Sequence, residues 1–305
     1  MHLSPARKGE LFIFTEAFLW SFFPVMTLLS YGTLMPLSSA AISTFISSLF
    51  FALVLTIRKR WHEILEQSAW MDILLTSVLI GVIFYGLLFT ALRFTTAGNA
   101  AIMGQMEVFF SFLILGVFLK HERITLPHLL GGAAMVLGAM LILLPQGSGW
   151  HVGDLLVMLA TAIAPLGNVF TQRARRIVSA ETILFVRSII SGLCFFLLSV
   201  FMESLPSFDA AISSAMFLFL NGFLLLGFSK ILWIEATNLI PITKAISLAS
   251  IGPFFTLLFA YLLLHEQMTP IQALGFLPIF IGVLLLTQKF PGEKTESMKI
   301  LGDPH

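Results

Sequence analysis

The sequence predicts an all-α integral membrane protein, with ten transmembrane helices arranged as two five-helix inverted-topology repeats. Three observations lead there. First, 58% of the 305 residues are hydrophobic and 11% are charged, with mean hydropathy +0.97. A soluble domain carries about 25% charged residues, so most of this surface cannot face water. Second, ten runs are each apolar over about 20 residues, the length a bilayer-spanning helix needs. Third, the chain repeats itself without a gap. Leu119-Lys120-His121-Glu122-Arg123-Ile124-Thr125 returns as Leu263-Leu264-His265-Glu266-Gln267-Met268-Thr269, a shift of 265 − 121 = 144 residues. Leu130-Gly131 then matches Leu274-Gly275, and Gly138 matches Gly282. Two tandem copies of one unit follow.

The expected spans, in order, are 11–30, 37–57, 70–92, 98–119 and 126–145 in the first copy. Those of the second are 153–172, 182–202, 212–234, 243–264 and 270–289. The copies occupy 9–145 and 153–289, and a polar cytoplasmic tail fills 290–305. Pro36 and Pro127 suit the first turn of a helix, where the missing N–H costs nothing. Gly147-Ser148-Gly149 breaks the chain between the copies. Pro206 divides the seventh span from the eighth, and Pro291-Gly292 ends the tenth. No cleavable signal peptide is expected, because the first apolar run carries Glu16 and lacks a small-residue cleavage site.

Lys and Arg accumulate on the cytoplasmic side of a membrane protein. Arg7, Lys8, Arg58, Lys59, Arg60, Lys120, Arg123, Arg173, Arg175, Arg176, Lys230, Lys244, Lys289, Lys294 and Lys299 all fall on one side if both termini are cytoplasmic. The other side receives Arg93. Arg187, near the start of the seventh span, is expected to snorkel to the cytoplasmic interface. Lys230 and Glu235 are expected at the cytoplasmic end of the eighth. Loop 146–152 should then lie outside and loop 173–181 inside. Five helices per copy is an odd number, so the second copy enters the membrane inverted. Many secondary transporters are built this way, with substrate bound near the midplane between the copies.

At these residues the chain resembles the EamA-type branch of the drug/metabolite transporter superfamily. The likeness lies in the Leu-x-x-Glu-x-x-Thr turn that ends each copy, in Trp20 within Phe18-Leu19-Trp20-Ser21, and in Gly252-Pro253-Phe254-Phe255. Ser21 stands where the family usually has Gly, and Phe109 stands where the second copy has Pro253. The resemblance implies a transporter in the cell (inner) membrane with cytoplasmic termini, often an exporter of amino acids or other small metabolites.

Charge inside a bilayer costs about 2.5–3.5 kcal/mol per residue on insertion scales, so it marks candidate sites. Glu107 lies near mid-depth in the fourth span and Glu16 lies in the first. Glu16 falls on Ala160 of the second copy and Glu107 on Ile251, so neither belongs to the shared scaffold. Either could bind a proton or a cationic substrate group, or Glu16 could pair with a basic residue. Gln105, Asn168 and Asn221 could meet polar substrate groups or bond a neighbouring helix. Trp20, Tyr85 and Trp233 could line an aromatic pocket among 31 Phe residues. Gly131, Gly138, Gly275 and Gly282 suit close helix packing. His121 and His265 would lie on opposite sides of the membrane, which fits turn residues rather than one metal centre.

GxxxxGK[ST], HExxH and CxxC motifs are absent from the sequence, so ATP-driven transport and zinc hydrolysis have no support. Cys194 is the single cysteine and forms no internal disulfide. The expected activity is secondary transport of small organic molecules without a cofactor, with protons or another coupling ion as partners alongside the lipid bilayer, and without nucleic acid. An integral membrane enzyme acting on lipid-linked substrates would need clustered polar or metal-binding residues at one interface. A membrane sensor or scaffold would be expected to carry a soluble domain.

Overall fold

A computed structural model describes residues 4–114, 126–143, 152–240 and 242–287. Every regular element among them is helical. Eight segments are long and apolar enough to cross a membrane: Pro5–Ser30, Pro36–Arg58, Gln67–Leu92, Ala97–Ile114, Leu126–Leu143, Val152–Arg175, Ala180–Met202 and Ala215–Leu239. Two shorter apolar helices, Gly252–Leu264 and Pro270–Thr287, follow. Most starts and ends lie within about five residues of the runs expected from sequence; the larger departures are the starts at Pro5, against 11, and at Gly252, against 243. The Lys120 to Thr125 turn, His121 and Glu122 included, and the 144–151 connection lie outside the described residues.

Several segments are broken; the breaks of the third and fourth recur at matching places in the second copy, whereas that of the first does not. The first comprises α1 (Pro5–Trp20) and α2 (Phe23–Ser30), because Pro24 at the start of α2 cannot continue the ladder of α1. The next is the unbroken α3 (Pro36–Arg58). In the third, α4 (Gln67–Thr76) and α5 (Tyr85–Leu92) flank a π-helical stretch, Ser77–Phe84. The fourth splits at Gln105 into α6 (Ala97–Gly104) and α7 (Met106–Ser111). Then come α8 (Leu126–Leu143), α9 (Val152–Arg175) and α10 (Ala180–Met202). A short α11 (Phe208–Ser213) precedes α12 (Ala215–Phe219), a second π-helical stretch, Leu220–Phe228, and α13 (Ser229–Leu239). Residues 77–84 shifted by 144 are 221–228, so the two π stretches coincide in the repeat. The ninth segment splits into α14 (Ile242–Ala249) and α15 (Gly252–Leu264), and α16 (Pro270–Thr287) ends the described chain. Gln105 shifted by 144 is Ala249, the last residue of α14, so the fourth and ninth segments break within two residues of equivalent points. Phe109, in place of Pro253, does not spare the fourth segment its break.

Equivalent helices of the two copies pack against one another antiparallel. Glu203, which follows α10, accepts hydrogen bonds from the N–H groups of Leu37 (2.8 Å) and Ser38 (2.9 Å) at the start of α3. Glu63, which follows α3, accepts from Ser179 N–H and from Thr182 Oγ1 (2.7 Å each) at the start of α10. Each helix thus has its orphan N-terminal donors met by a carboxylate trailing the other. Partial burial would raise the pKa of Glu63, but the Ser179 and Thr182 bonds and nearby Arg60 hold it below its ordinary value. Glu266, in the turn that ends the second copy, likewise accepts from Ala97 N–H (3.1 Å) and Gly98 N–H (3.3 Å) at the start of α6. The Glu of that turn serves structure here, as a cap. His265 beside it takes the left-handed conformation that ends α15.

α8 and α16 form the other antiparallel pair. A Cβ added to Gly138 would stand 2.5 Å from the Gly275 carbonyl oxygen. One added to Gly282 would stand 2.5 Å from that of Gly131. All four glycines therefore let two backbones touch, as the sequence suggested.

One end of the bundle carries ion pairs between segments. Glu181 meets Arg58 at 3.1 Å and Arg60 at 3.4 Å. Asp72 meets Arg173 at 3.3 Å, Glu235 meets Arg175 at 2.9 Å, and Glu10 pairs with Lys244. The opposite end is joined by uncharged donors around a carboxylate: Thr95 and Asn99 both donate to Asp154, and Gln272 donates to Asn99 at 2.8 Å.

Candidate functional site

The broken segments open a cavity of about 190 Å³ between the copies. Residues of α1, α2, α6, α7 and the third segment line it from the first copy; α9, α10, α13, α14 and α15 line it from the second. None of its lining residues comes from α8 or α16. Trp20, Ser21, Gln105 and Gly252, at or beside the breaks, all face it. A second hollow of about 470 Å³ sits among exposed residues of α8 and α16, including Leu137, Met140 and Leu277. Its lining is wholly apolar, which suits lipid contact rather than recognition of a polar molecule.

Four charged side chains reach the central cavity: Glu16, Glu107, Arg187 and Lys230. At 1.5 Å per helical residue each is roughly 10–17 Å from its nearer segment end. Glu16 is 2% exposed and pairs with Lys230, Oε1 to Nζ 2.6 Å. The same ammonium lies 3.4 Å from the ring centroid of Trp20. Trp20 in turn stacks on Phe23, with centroids 4.3 Å apart, and meets Tyr85 edge-on at 6.2 Å. Lys230 is therefore held by a carboxylate and an aromatic face together. Glu107 accepts a hydrogen bond from Asn168 Nδ2 at 3.0 Å. The Arg187 guanidinium lies 5.6 Å from the Tyr85 ring centroid. Gly81, within the first π stretch, makes room for it: a Cβ there would stand 3.0 Å from Arg187 Cγ.

Six of the seven site candidates chosen from sequence come together here: Glu16, Glu107, Gln105, Trp20, Tyr85 and Asn168. Trp233 lines the cavity as well. Asn221 lies apart, fully buried, donating to Thr27 Oγ1 at 3.0 Å. Arg187 and Lys230 correct the sequence reading, which placed both at the cytoplasmic interface. Ala180 begins α10, so Arg187 sits two turns inside it, buried and turned to the central cavity rather than to the helix end. α13 runs on to Leu239, which moves Lys230 inward. One signal could have found both. Lys230 falls on Gly86 of the first copy and Arg187 on Ser43, so neither charge belongs to the repeated scaffold.

Comparison with known proteins agrees with this architecture. The chain is 23% identical over 294 residues to the uncharacterized transporter YoaV of Bacillus subtilis (strain 168), covering 94% of this chain and 99% of that protein. It is 26% identical over 276 residues to the uncharacterized transporter YvbV of the same organism, covering 87% of each. One crystal structure shares the fold with a TM-score of 0.69 at 16% identity, over 92% of this chain and 96% of that one. The model of the EamA-like transporter family matches twice, over residues 7–144 and 151–288, which are the two copies seen in the sequence. With both copies matched, the chain belongs to the EamA-like transporter family.

Proposed function

We propose that this multi-pass membrane protein is a secondary transporter of small organic metabolites, an exporter of amino acids or related compounds, working by alternating access. Ten spans form two five-helix units of opposite orientation, and one unit rocks on the other around the central cavity. The observation that carries this reading is the cavity itself. It lies between the copies, where helices break, and it holds four charges whose insertion cost the fold alone does not explain. The antiparallel pairing of α3 with α10 and of α8 with α16 supports opposite orientation of the copies. The ion pairs support the span count: they join the starts of segments three and seven to the ends of six and two, the starts of one and nine to each other, and the ends of six and eight to each other. By the Lys/Arg distribution that end is cytoplasmic, in the inner membrane, with both termini on the same side.

Glu107 binds a proton or a cationic substrate group, and Glu16 is the secondary candidate. Gln105 and Asn168 supply polar contacts, and Trp20 and Tyr85 supply the aromatic wall. Energy comes from an existing ion or substrate gradient. The test is flux through purified protein in liposomes, with a panel of amino acids, nucleosides and cationic drugs. Saturable flux of at least one class, enhanced by a proton gradient or a counter-substrate, is the expected result. A complete lack of flux in either direction across the panel would sink the reading.

A further inference from the structure

We infer that Arg187 anchors an acidic group of the transported molecule, so that the cavity selects organic acids, with a carboxylate on Arg187 and an apolar or aromatic body against the apolar wall beside Tyr85. This rests on the transporter reading above and adds a ligand class to it.

The inference comes from how the four cavity charges are partnered. Lys230 is taken up by Glu16 at 2.6 Å and by the Trp20 face. Glu107 is taken up by the amide of Asn168. Arg187 differs. It is 7% exposed, it lines the cavity, and among the described residues it has no carboxylate within ion-pair distance. Its neighbour on the ring side is Tyr85, whose face attracts a cation but does not neutralise it. A buried charge is paired or finds a partner. Arg presents five N–H donors in a rigid fork that matches a carboxylate in bidentate fashion. The space needed for that partner is the cavity.

Local sequence favours keeping the fork there. Gly81 leaves room for the side-chain stem, and Ser191, one turn on, closes against the same glycine: its Cβ would be 3.2 Å from an added Gly81 Cβ. Arg187 falls on Ser43 in the first copy, so the shared fold does not require a cation at this position. Tyr85 stands next to the guanidinium, and Ile80, Phe84 and Leu88 of the same segment line the cavity with it, which places an apolar wall beside the acid site.

The test is equilibrium binding to the full chain in detergent, read by tryptophan fluorescence, since Trp20 and Trp233 line the cavity. The probes are 3-phenylpropionate, 3-phenylpropionamide and 3-phenylpropylamine, which differ only in the head group. The acid should bind about tenfold or more tighter than the amide or the amine, the discrimination expected of a charged hydrogen bond. Arg187→Gln should abolish that preference, and Arg187→Lys should restore part of it. Equal or tighter binding of the amine, or no binding of the acid at millimolar concentration, overturns the inference, and wild-type protein suffices for that comparison. Liposome flux separates the two readings. Acid binding without flux of any solute removes the transporter and leaves the anchor; flux that favours the amine does the reverse.

Discussion

The Glu16–Lys230 pair gives the sharpest test of how this cavity is held together. Lys230→Met removes the ammonium and keeps much of the stem. It leaves Glu16, 2% exposed, without its 2.6 Å partner, and it removes the cation from the Trp20 face. Breaking a buried pair by deleting one member costs about 3–5 kcal/mol. Loss of a desolvated cation–π contact adds up to about 2 kcal/mol. The cavity can hydrate the orphan carboxylate, so the low end, about 3 kcal/mol, is the expected destabilisation. Glu16→Gln should cost less, because Trp20 still faces the cation. The double variant restores neutrality, so its cost should fall below the sum of the singles by about 1.5 kcal/mol or more, as for other close charge pairs. Reversible unfolding in detergent, followed by denaturant titration of the four proteins, measures the coupling. Additivity within about 0.5 kcal/mol would mean the two groups do not interact, and the reasoning from this geometry would fail.

Glu107→Gln keeps an acceptor for Asn168 and removes the titration; transport should fall sharply or lose its pH dependence across roughly pH 5.5–8.5, with thermal stability little changed. Normal transport by the Gln variant across that range would make Glu107 structural. Gly138→Ala should destabilise by about 1–3 kcal/mol, since the new methyl would meet the Gly275 carbonyl at 2.5 Å; denaturant titration reads it. For orientation, a cysteine at Ser207 should react with an impermeant thiol reagent on intact cells, and one at Arg176 only after permeabilisation, in a Cys194→Ala background; the reverse pattern inverts the topology.

Much of the fold was legible in the sequence because apolar length and the 144-residue repeat are strong, redundant signals. The packing glycines followed from the same repetition, whereas the cap role of Glu266 is visible only in the fold. The two cavity cations were hidden by the rule that orients the protein. Lys and Arg are assigned by that rule to the cytoplasmic ends, and Arg187 and Lys230 were drawn there with the others. For Lys230 the span was also ended early, at residue 234, since Glu235 and Asn238 lower the local hydropathy. The helix continues because Glu235 is met by Arg175 from a neighbouring segment. Sequence shows the cost of Glu235 and not the partner that offsets it. The breaks at Trp20 and at Gln105 were harder still. Pro24 signals the first, but Gly104 beside Gln105 is a weak signal for the second; its equivalence to Ala249, just before Gly252-Pro253, adds to it.

The caps exchanged between α3 and α10 bear on how the chain is made. While the ribosome is still producing the second copy, α3 has no Glu203 to receive its terminal donors, so the early half waits half-finished in the membrane. The same exchange makes the halves mutual chaperones. Cut within the 144–151 connection and produced as two polypeptides, they should accumulate together and copurify. Either one alone should be cleared by quality-control proteolysis. Glu63→Ala combined with Glu203→Ala should weaken that reunion well before it disturbs the intact chain, whose tether supplies the effective concentration that separate halves lack.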